Sequence, residues 1–497
     1  MSGPARTIRR PEDLGRAAIE ELARGASRLV LAPELLDRLA ASRRSTLADL
    51  DRDEPVYGVN TGMGAMSGVR LTGEARTRQQ NTLMIGRAVG SAPWLRRDES
   101  RALLAARLRT LLHPAAGVSP QLCLHLAALL NADVVPAVPL RGGAAGEIIP
   151  LAHAGAVLIG SGQVLDRAGQ PADAAPALAA AGLEPRRFEA KEGVAFLEGV
   201  PGLTGLAVLG ARDARLLLDQ TLTAAAASHA VIRASRDPLH PALADSPELA
   251  AALAALRAGH PGGDPAALQA PVSFRVTAPA VAVAMRAVSG LDAAADRALD
   301  AVTDSPAHFD GRFAGTFGFA GTDLSAALAA LTTALIHLAE LGAARLHRLL
   351  DTAVTGLPRQ LSDAPGLHAG MVTVHKRAVG TVHRLRRFAT PALAGAMETS
   401  LGQEDAQSFG FEAAECLGEA MGGLRDVLAC ELLAVHQARL LRDDAPDGTA
   451  GASAAAMREV AAVLPPGTGD RPFGRDLDRI AALLGRGWPG APHVTGG

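Results

Sequence analysis

Apolar residues in the second half of the chain recur at the spacing of one helix face. Leu324, Leu328, Leu331, Leu335 and Leu338 alternate steps of four and three behind Asp323, which reads as an N-cap. Leu417, Met421, Leu424 and Leu428 repeat the pattern in a segment running on to about Arg442. Such stripes are the seams along which long helices pack in a bundle. Residues 370–388 are similar with a basic side of Lys376, Arg377, Arg384, Arg386 and Arg387, read as a solvated or subunit-facing surface. Period-two alternation is rare. Residues 56–59 and 134–138 are short β-branched runs, so sheet should be minor. Gly and Pro cluster at 136–150, 258–276 and 443–452. The first two interrupt helical surroundings, where a site can sit on loops. The third reads as a connector to two short helices, 453–464 and 476–484, and a loose tail. The predicted fold class is mainly α.

Composition narrows the function classes. The 497 residues are 48% hydrophobic and 20% charged with net charge −2, an ordinary globular balance without a basic footprint for nucleic acid. Cys123, Cys416 and Cys430 are too few and scattered for a disulfide framework, and no metal-ligand spacing stands out. The opening MSGPARTIRRPEDLG lacks a signal-like apolar run, and no eighteen apolar residues run uninterrupted, so neither secretion nor a membrane span is expected. A reducing cytoplasm fits these features best.

One stretch stands apart. Residues 55–64 read PVYGVNTGMG, and Tyr57 is the only tyrosine, beside eleven Phe and two Trp. Its bland role is a packing ring under a loop. Its chemical role is a phenol acting as acid or base, which requires a lowered pKa or a proton relay. Backbone amides of the loop, or Arg275, are candidate causes.

Four stretches in order, VYGVNTGMG at 56, LRGGAAGEIIPLAHAGAVLIG at 140, KEGVAFLEG at 191 and TSLGQEDAQSFG at 399, resemble the histidine and aromatic amino acid ammonia-lyase family. QAPVSFR at 269, VTDSP at 302 and a C-terminal DR followed by DLDRIAALLGRG fit the same order, so the resemblance covers nearly the whole chain. It implies an ammonia-lyase-like fold in three segments. Residues 1–200 would carry the reactive loops, 201–445 the central long-helix bundle, and 446–497 a helical segment and tail. It also implies a homotetramer with active sites shared among subunits; the expected partner is a small-molecule substrate, and the loss of the electrophile discussed below would let it be carrier- or thioester-linked.

The family eliminates ammonia with methylidene-imidazolone, an electrophile made when an Ala-Ser-Gly tripeptide cyclises and loses water. Here the tripeptide position reads Ala144-Ala145-Gly146. Alanine has no β-oxygen to lose, so the resemblance predicts that this prosthetic group is absent and that no other cofactor replaces it. The family asparagine after the KEG stretch falls on Glu198, its second tyrosine on Val272, its substrate-selecting pair on Ile85 and Gly86, and the acid after the tripeptide on Glu147. Several functional positions remain by resemblance. Tyr57 matches the tyrosine that removes the β-proton. Asn60 follows it on the loop. Gln269 and Arg275 keep the substrate-carboxylate spacing QxPxSxR, Phe317 falls in the NFH segment, and Gln403 and Glu404 lie in an intact QED.

These residues leave alternatives. Arg275 docks an anion or joins a structural ion pair. Glu404 braces a helix or shares a cavity with Glu198, where two carboxylates would push their pKa values apart. Residues 142–147 form a plain turn into a helix near Pro150, or present amides to an enolate oxygen. His153 is expected to pack. The favoured expectation is a lyase-type enzyme without the built-in electrophile, acting through Tyr57 on a substrate that carries its own carbonyl or acyl activation. Elimination, dehydration, isomerisation and cyclisation all satisfy it. The rivals are a degenerate lyase kept as a binding partner and, behind it, a conventional ammonia-lyase.

Overall fold

A computed structural model describes residues 4–52, 54–144, 146–260, 262–395, 397–442 and 452–487. Ala145, nearly all of the expected connector and the tail after 487 lie outside the described residues. The chain is mainly helical, and its longest helices are Pro201–Ile232, Thr277–Asp300, Thr322–Leu349 and Gly410–Arg442. The leucine seam is where the period places it. Leu324, Leu328, Leu331, Leu335 and Leu338 are all essentially buried, and each contributes about 1.5–3 kcal/mol by leaving water. Asp323 is not the cap. The helix starts at Thr322, and Asp323 sits in its first turn paired with Arg297.

Strands are few. Among the described residues three two-stranded pieces are present: Ala5–Ile8 parallel to Arg28–Leu31, Gln163–Leu165 antiparallel to Pro171–Asp173, and Ala307–Phe309 antiparallel to Arg312–Ala314. Neither β-branched run is a strand. Residues 57–60 form a turn. Residues 134–138 make only isolated bridging contacts, because Pro136 and its neighbour Pro139 have no N–H to continue a ladder.

Packing divides the chain into two units, each drawing on separated stretches. The first comprises Met1–Gly210, Leu291–Leu328 and Pro391–Glu415. The second comprises Ala211–Gly290, Ala329–Thr390 and Cys416–Gly497. This division differs from the three consecutive segments expected, because long helices carry the chain from one unit into the other.

The core of the second unit holds a buried polar cluster. Arg345 donates to both oxygens of Glu431 at 2.7 and 2.8 Å and to Thr277 Oγ1 at 2.9 Å, while Ser228 Oγ donates to Glu431 at 2.7 Å. The basic segment forms the Val372–Leu385 helix. Its side is less free than expected, since Arg377 and Arg384 pair with Asp426 and Glu419 of the 410–442 helix.

By length and composition, three helical stretches among the described residues are apolar enough to cross a membrane: Glu192–Ile232, Thr277–Asp300 and Gly318–Leu349. Their apolar windows are 94%, 56% and 61% buried within the protein, as bundle helices require.

Candidate active site

The first unit brings Tyr57, Glu198 and Glu404 to one place. Two adjoining cavities, of about 460 and 280 Å³, share Tyr57, Ile148, Glu198 and Glu404 in their walls. The larger adds Pro306, Phe313, Phe319 and Gln403, and the smaller adds Gly64, Arg87, Ala144, Thr399 and Ser400.

The Tyr57 loop is shaped by its own polar groups. Asn60 Oδ1 accepts from the Val56 N–H at 2.7 Å and its Nδ2 donates to the Glu54 carbonyl at 2.8 Å. Asn60 is therefore buried inside the loop as a brace and is absent from both cavity walls, unlike its expected substrate-binding place. The Gly64 N–H donates to Tyr57 Oη at 2.7 Å. Gly64 holds a left-handed φ of 57° opposite Ser400, where a Cβ would approach Oγ at 3.1 Å.

Gln80 ties this loop to the element that carries Glu198. Its Nε2 donates to the Gly58 carbonyl at 2.9 Å, and its Oε1 accepts from the Val194 N–H at 3.1 Å. The approach is closed by Gly193, where a Cβ would stand 2.4 Å from the Gln80 carbonyl oxygen. Glu198 is the C-cap of the short Glu192–Leu197 helix. Fully buried Arg107 fixes that end by donating to the carbonyls of Ala195 and Glu198 at 3.0 and 2.7 Å.

Electrostatics favour the neutral forms of Tyr57 and Glu198. Burial pushes the Tyr57 phenol above its ordinary value of 10.0. The Gly64 amide pulls it down, the Glu198 and Glu404 charges push it further up, and Arg87 opposes them. Tyr57 is thus a neutral phenol at neutral pH, which runs against a lowered pKa, the first of the two routes expected. Arg275 lies in the second unit and is not among these causes.

Burial, reinforced by the Glu404 charge, pushes Glu198 up to about 8, against the fields of Arg107 and Arg87. Glu147 is pushed up to about 7 by burial, although the Leu203 and Gly202 N–H groups each donate to it at 2.6 Å. It satisfies free amides at the start of the 201–232 helix, which is a capping role. Arg107, lowered to about 10 by burial, lies in the field of Glu147, Asp304 and Glu198. Lys191 binds Asp304 at 2.5 Å. Two buried cations therefore face three carboxyls, and a proton on one of the three balances the charge.

This makes Glu198 a titratable term in stability. Its folded pKa of about 8 lies above the ordinary 4.5, so the stabilisation it brings is full below about pH 4.5 and is lost as pH rises through about 8. Glu198→Gln cannot ionise. It is expected to gain stability relative to the parent between about pH 5 and pH 9. Urea denaturation across that range reads the difference, and a pH-independent difference overturns the assignment.

Glu404 is held by Thr399, whose Oγ1 donates at 2.5 Å, and the two residues also bridge through their backbones. Between them Ser400 and Leu401 take left-handed φ of 55° and 56°, a conformation that costs about 1–2 kcal/mol per residue and clusters at ligand clamps.

Other expected residues lie elsewhere. Phe317 is 88% exposed, while Phe313 and Phe319 line the cavity. Gly86 and Ile85 are exposed and absent from both walls, and the next residue, Arg87, lines the smaller one. One step along a helix turns the side chain by about 100°. The buried spacing Gln80, Leu83, Met84 already pointed at Arg87 as the next residue on that face. Gln269 and Arg275 bind each other at 2.8 Å and line a separate cavity of the second unit, with Val272, Arg233 and Arg348. His153 packs near Trp94 and accepts from the Gly90 N–H at 3.0 Å. A helix begins at Ile148, two residues earlier than expected, with Glu147 as its N-cap.

Ala144 lies on the smaller cavity wall, and Gly146 holds a left-handed φ of 61°. No residue of the 144–146 tripeptide has a side-chain oxygen for dehydration to remove. These residues do not fit a methylidene-imidazolone precursor.

Residues 14–462 match the model of the family described as aromatic amino acid lyase. The histidine ammonia-lyase of Streptomyces coelicolor is 33% identical over 496 residues, covering 96% of both chains. The probable histidine ammonia-lyase of Halobacterium salinarum is 34% identical over 507 residues, covering 96% of this chain and 95% of its own. Among solved structures, a tyrosine aminomutase from Streptomyces globisporus superposes with a TM-score of 0.89 at 26% identity, over 95% of each chain. Ergothionase from Treponema denticola shares the fold, with a TM-score of 0.91 at 21% identity over 97% of this chain and 99% of its own. A family model spanning most of the chain and relatives matched nearly end to end agree with the order of motifs read above: the chain belongs to the aromatic amino acid lyase family.

Proposed function

We propose that the chain is a lyase-type enzyme that works without methylidene-imidazolone, with Tyr57, Glu198 and Glu404 as its acid–base set. The observation that carries this reading is their convergence on one cavity in a chain whose position 145 is alanine. With no electrophile of its own, the enzyme acts on a substrate whose proton is already acidified by a ketone, thioester or conjugated acyl group. The Glu404 carboxylate takes that proton. The electrons form the new double bond, and the bond to the leaving group breaks. Tyr57 or Glu198, both held in their neutral forms, donates a proton to the departing atom. Dehydration and elimination follow directly, and isomerisation or cyclisation uses the same groups with a different proton acceptor.

Intact mass is the test that needs no substrate. The expected mass is that of the encoded polypeptide, and a species lighter by two water molecules overturns the reading. That lighter species would favour a conventional ammonia-lyase, which the names of the histidine ammonia-lyase relatives support. Alanine, glutamate and valine at 145, 198 and 272 favour a third reading, a degenerate homologue retained as a binding partner. In our reading the enzyme is a cytoplasmic homotetramer in specialised biosynthesis, acting on a small molecule that is free or carried as a thioester.

A further inference from the structure

Glu147 is a buried carboxyl outside the acid–base set. Its two oxygens accept the Gly202 and Leu203 N–H groups at 2.6 Å each. The fit is close, since a Cβ on Gly202 would stand 2.7 Å from Glu147 Oε2 and 2.8 Å from the Phe411 ring. Two amides at a helix start favour the ionised form of such a carboxyl. Glu198 has no such support. Among the described residues no hydrogen bond reaches its carboxyl, and Glu404 faces it as a second negative charge.

The positive charges are unevenly shared. Lys191 binds Asp304 at 2.5 Å. Arg107 directs its hydrogen bonds to the carbonyls of Ala195 and Glu198 and to Thr110 Oγ1, so no carboxylate holds it in a direct pair. Its charge acts through space on Glu147, Asp304 and Glu198. With Asp304 matched by Lys191, one guanidinium is left for two carboxyls. Arg87 and Tyr57 are the remaining titratable groups that act on Glu198.

We propose that Glu147 is a positioning residue for the proton of Glu198: held by two amides, it takes the negative charge opposite Arg107 and so keeps Glu198 protonated as an acid of the cavity. This rests on reading Glu198 as part of the acid–base set. Glu147 acts through the field that it shares with Arg107 and touches no substrate. Burial raises both carboxyls, Glu147 to about 7 and Glu198 to about 8, which is the order that the amides dictate. Removing the charge of Glu147 leaves Arg107 to Glu198 alone and lowers the pH at which Glu198 ionises.

Infrared spectroscopy of the full-length protein reads protonated buried carboxyls without any substrate. As pH rises, two such bands should disappear from the parent, Glu147 first near 7 and Glu198 second near 8. Glu147→Gln should move the Glu198 band at least about one pH unit towards acid. Glu147→Asp, which keeps the charge, should hold that band near the parent value. A folded Glu147→Gln whose Glu198 band does not move overturns the proposal. Where Glu147→Gln does not fold, Glu198→Gln decides: it should delete the second band and leave the first near 7, and deletion of the first instead overturns the order of ionisation. Turnover separates this proposal from the acid–base reading. The alkaline limb of kcat should move with the band in Glu147→Gln. A band that moves beneath an unmoved limb upholds the coupling of the two carboxyls and overturns the use of Glu198 in the chemistry.

Discussion

Tyr57→Phe is expected to lower kcat by roughly 10²–10⁴-fold, the usual contribution of a positioned acid or base. The substitution removes one oxygen. It keeps the ring on the cavity wall and deletes the acceptor of the Gly64 N–H. KM should change much less, because in this reading the phenol acts on the departing group and does not anchor the substrate. Rates against an activated acyl substrate that the parent turns over decide the matter. An unchanged kcat rules out the phenol as an acid–base group and returns Tyr57 to a packing role. The pH dependence adds a second readout. Glu198, neutral below about 8, loses its proton above that value, so a rate that uses it should fall on the alkaline side, and Glu198→Gln should remove that limb.

The second large effect concerns stability. Arg345→Met is expected to destabilise the protein by about 3–5 kcal/mol, the usual consequence of leaving one member of a buried ion pair uncompensated. Glu431 is fully buried and would keep only the Ser228 hydroxyl, and Thr277 Oγ1 would lose its donor from Arg345. Replacing both charged residues, Arg345→Met with Glu431→Leu, should recover a large part of the loss, since well-packed apolar groups often substitute for a buried pair. Guanidinium denaturation of the two variants reads both numbers. A loss below about 1 kcal/mol for the single variant would place the pair with exposed ion pairs such as Arg377–Asp426.

Much of this was legible in the chain, for reasons specific to each element. The leucine seams predict long helices because period and burial have one cause, the single face a bundle helix turns inward. The convergence of Tyr57, Glu198 and Glu404 could be proposed only through the resemblance, because stretches hundreds of residues apart have no local signal of their meeting. What failed was local geometry and charge. The 56–59 run is β-branched but lies in a turn set by Asn60 and two glycines, so propensity lost to side-chain hydrogen bonds. Arg87 was missed by one residue, which on a helix is a different face. The sign of the Tyr57 shift was missed because a Gly-rich loop suggests exposed amides. Burial, which sequence does not display, outweighs the one amide that reaches the phenol. Asp304 sits in a polar stretch, and nothing there announces that it is interior, while the charge of Arg107 hides its burial within a leucine-rich helix.

The cavity has one rigid wall and one permissive wall, and that asymmetry guides redesign. Gln80 locks the tyrosine loop to the 192–197 helix, and Gly193 leaves no space for a methyl group. Libraries that vary this wall will return mostly unfolded clones. Across the cavity, Leu401 is 95% exposed, while Gly402 holds a left-handed φ of 82° that calls for glycine. New substrate scope should therefore be sought by randomising positions 400, 401 and 403 with 313 and 319, keeping Gly402, where side chains can be exchanged while the acid–base geometry stays fixed.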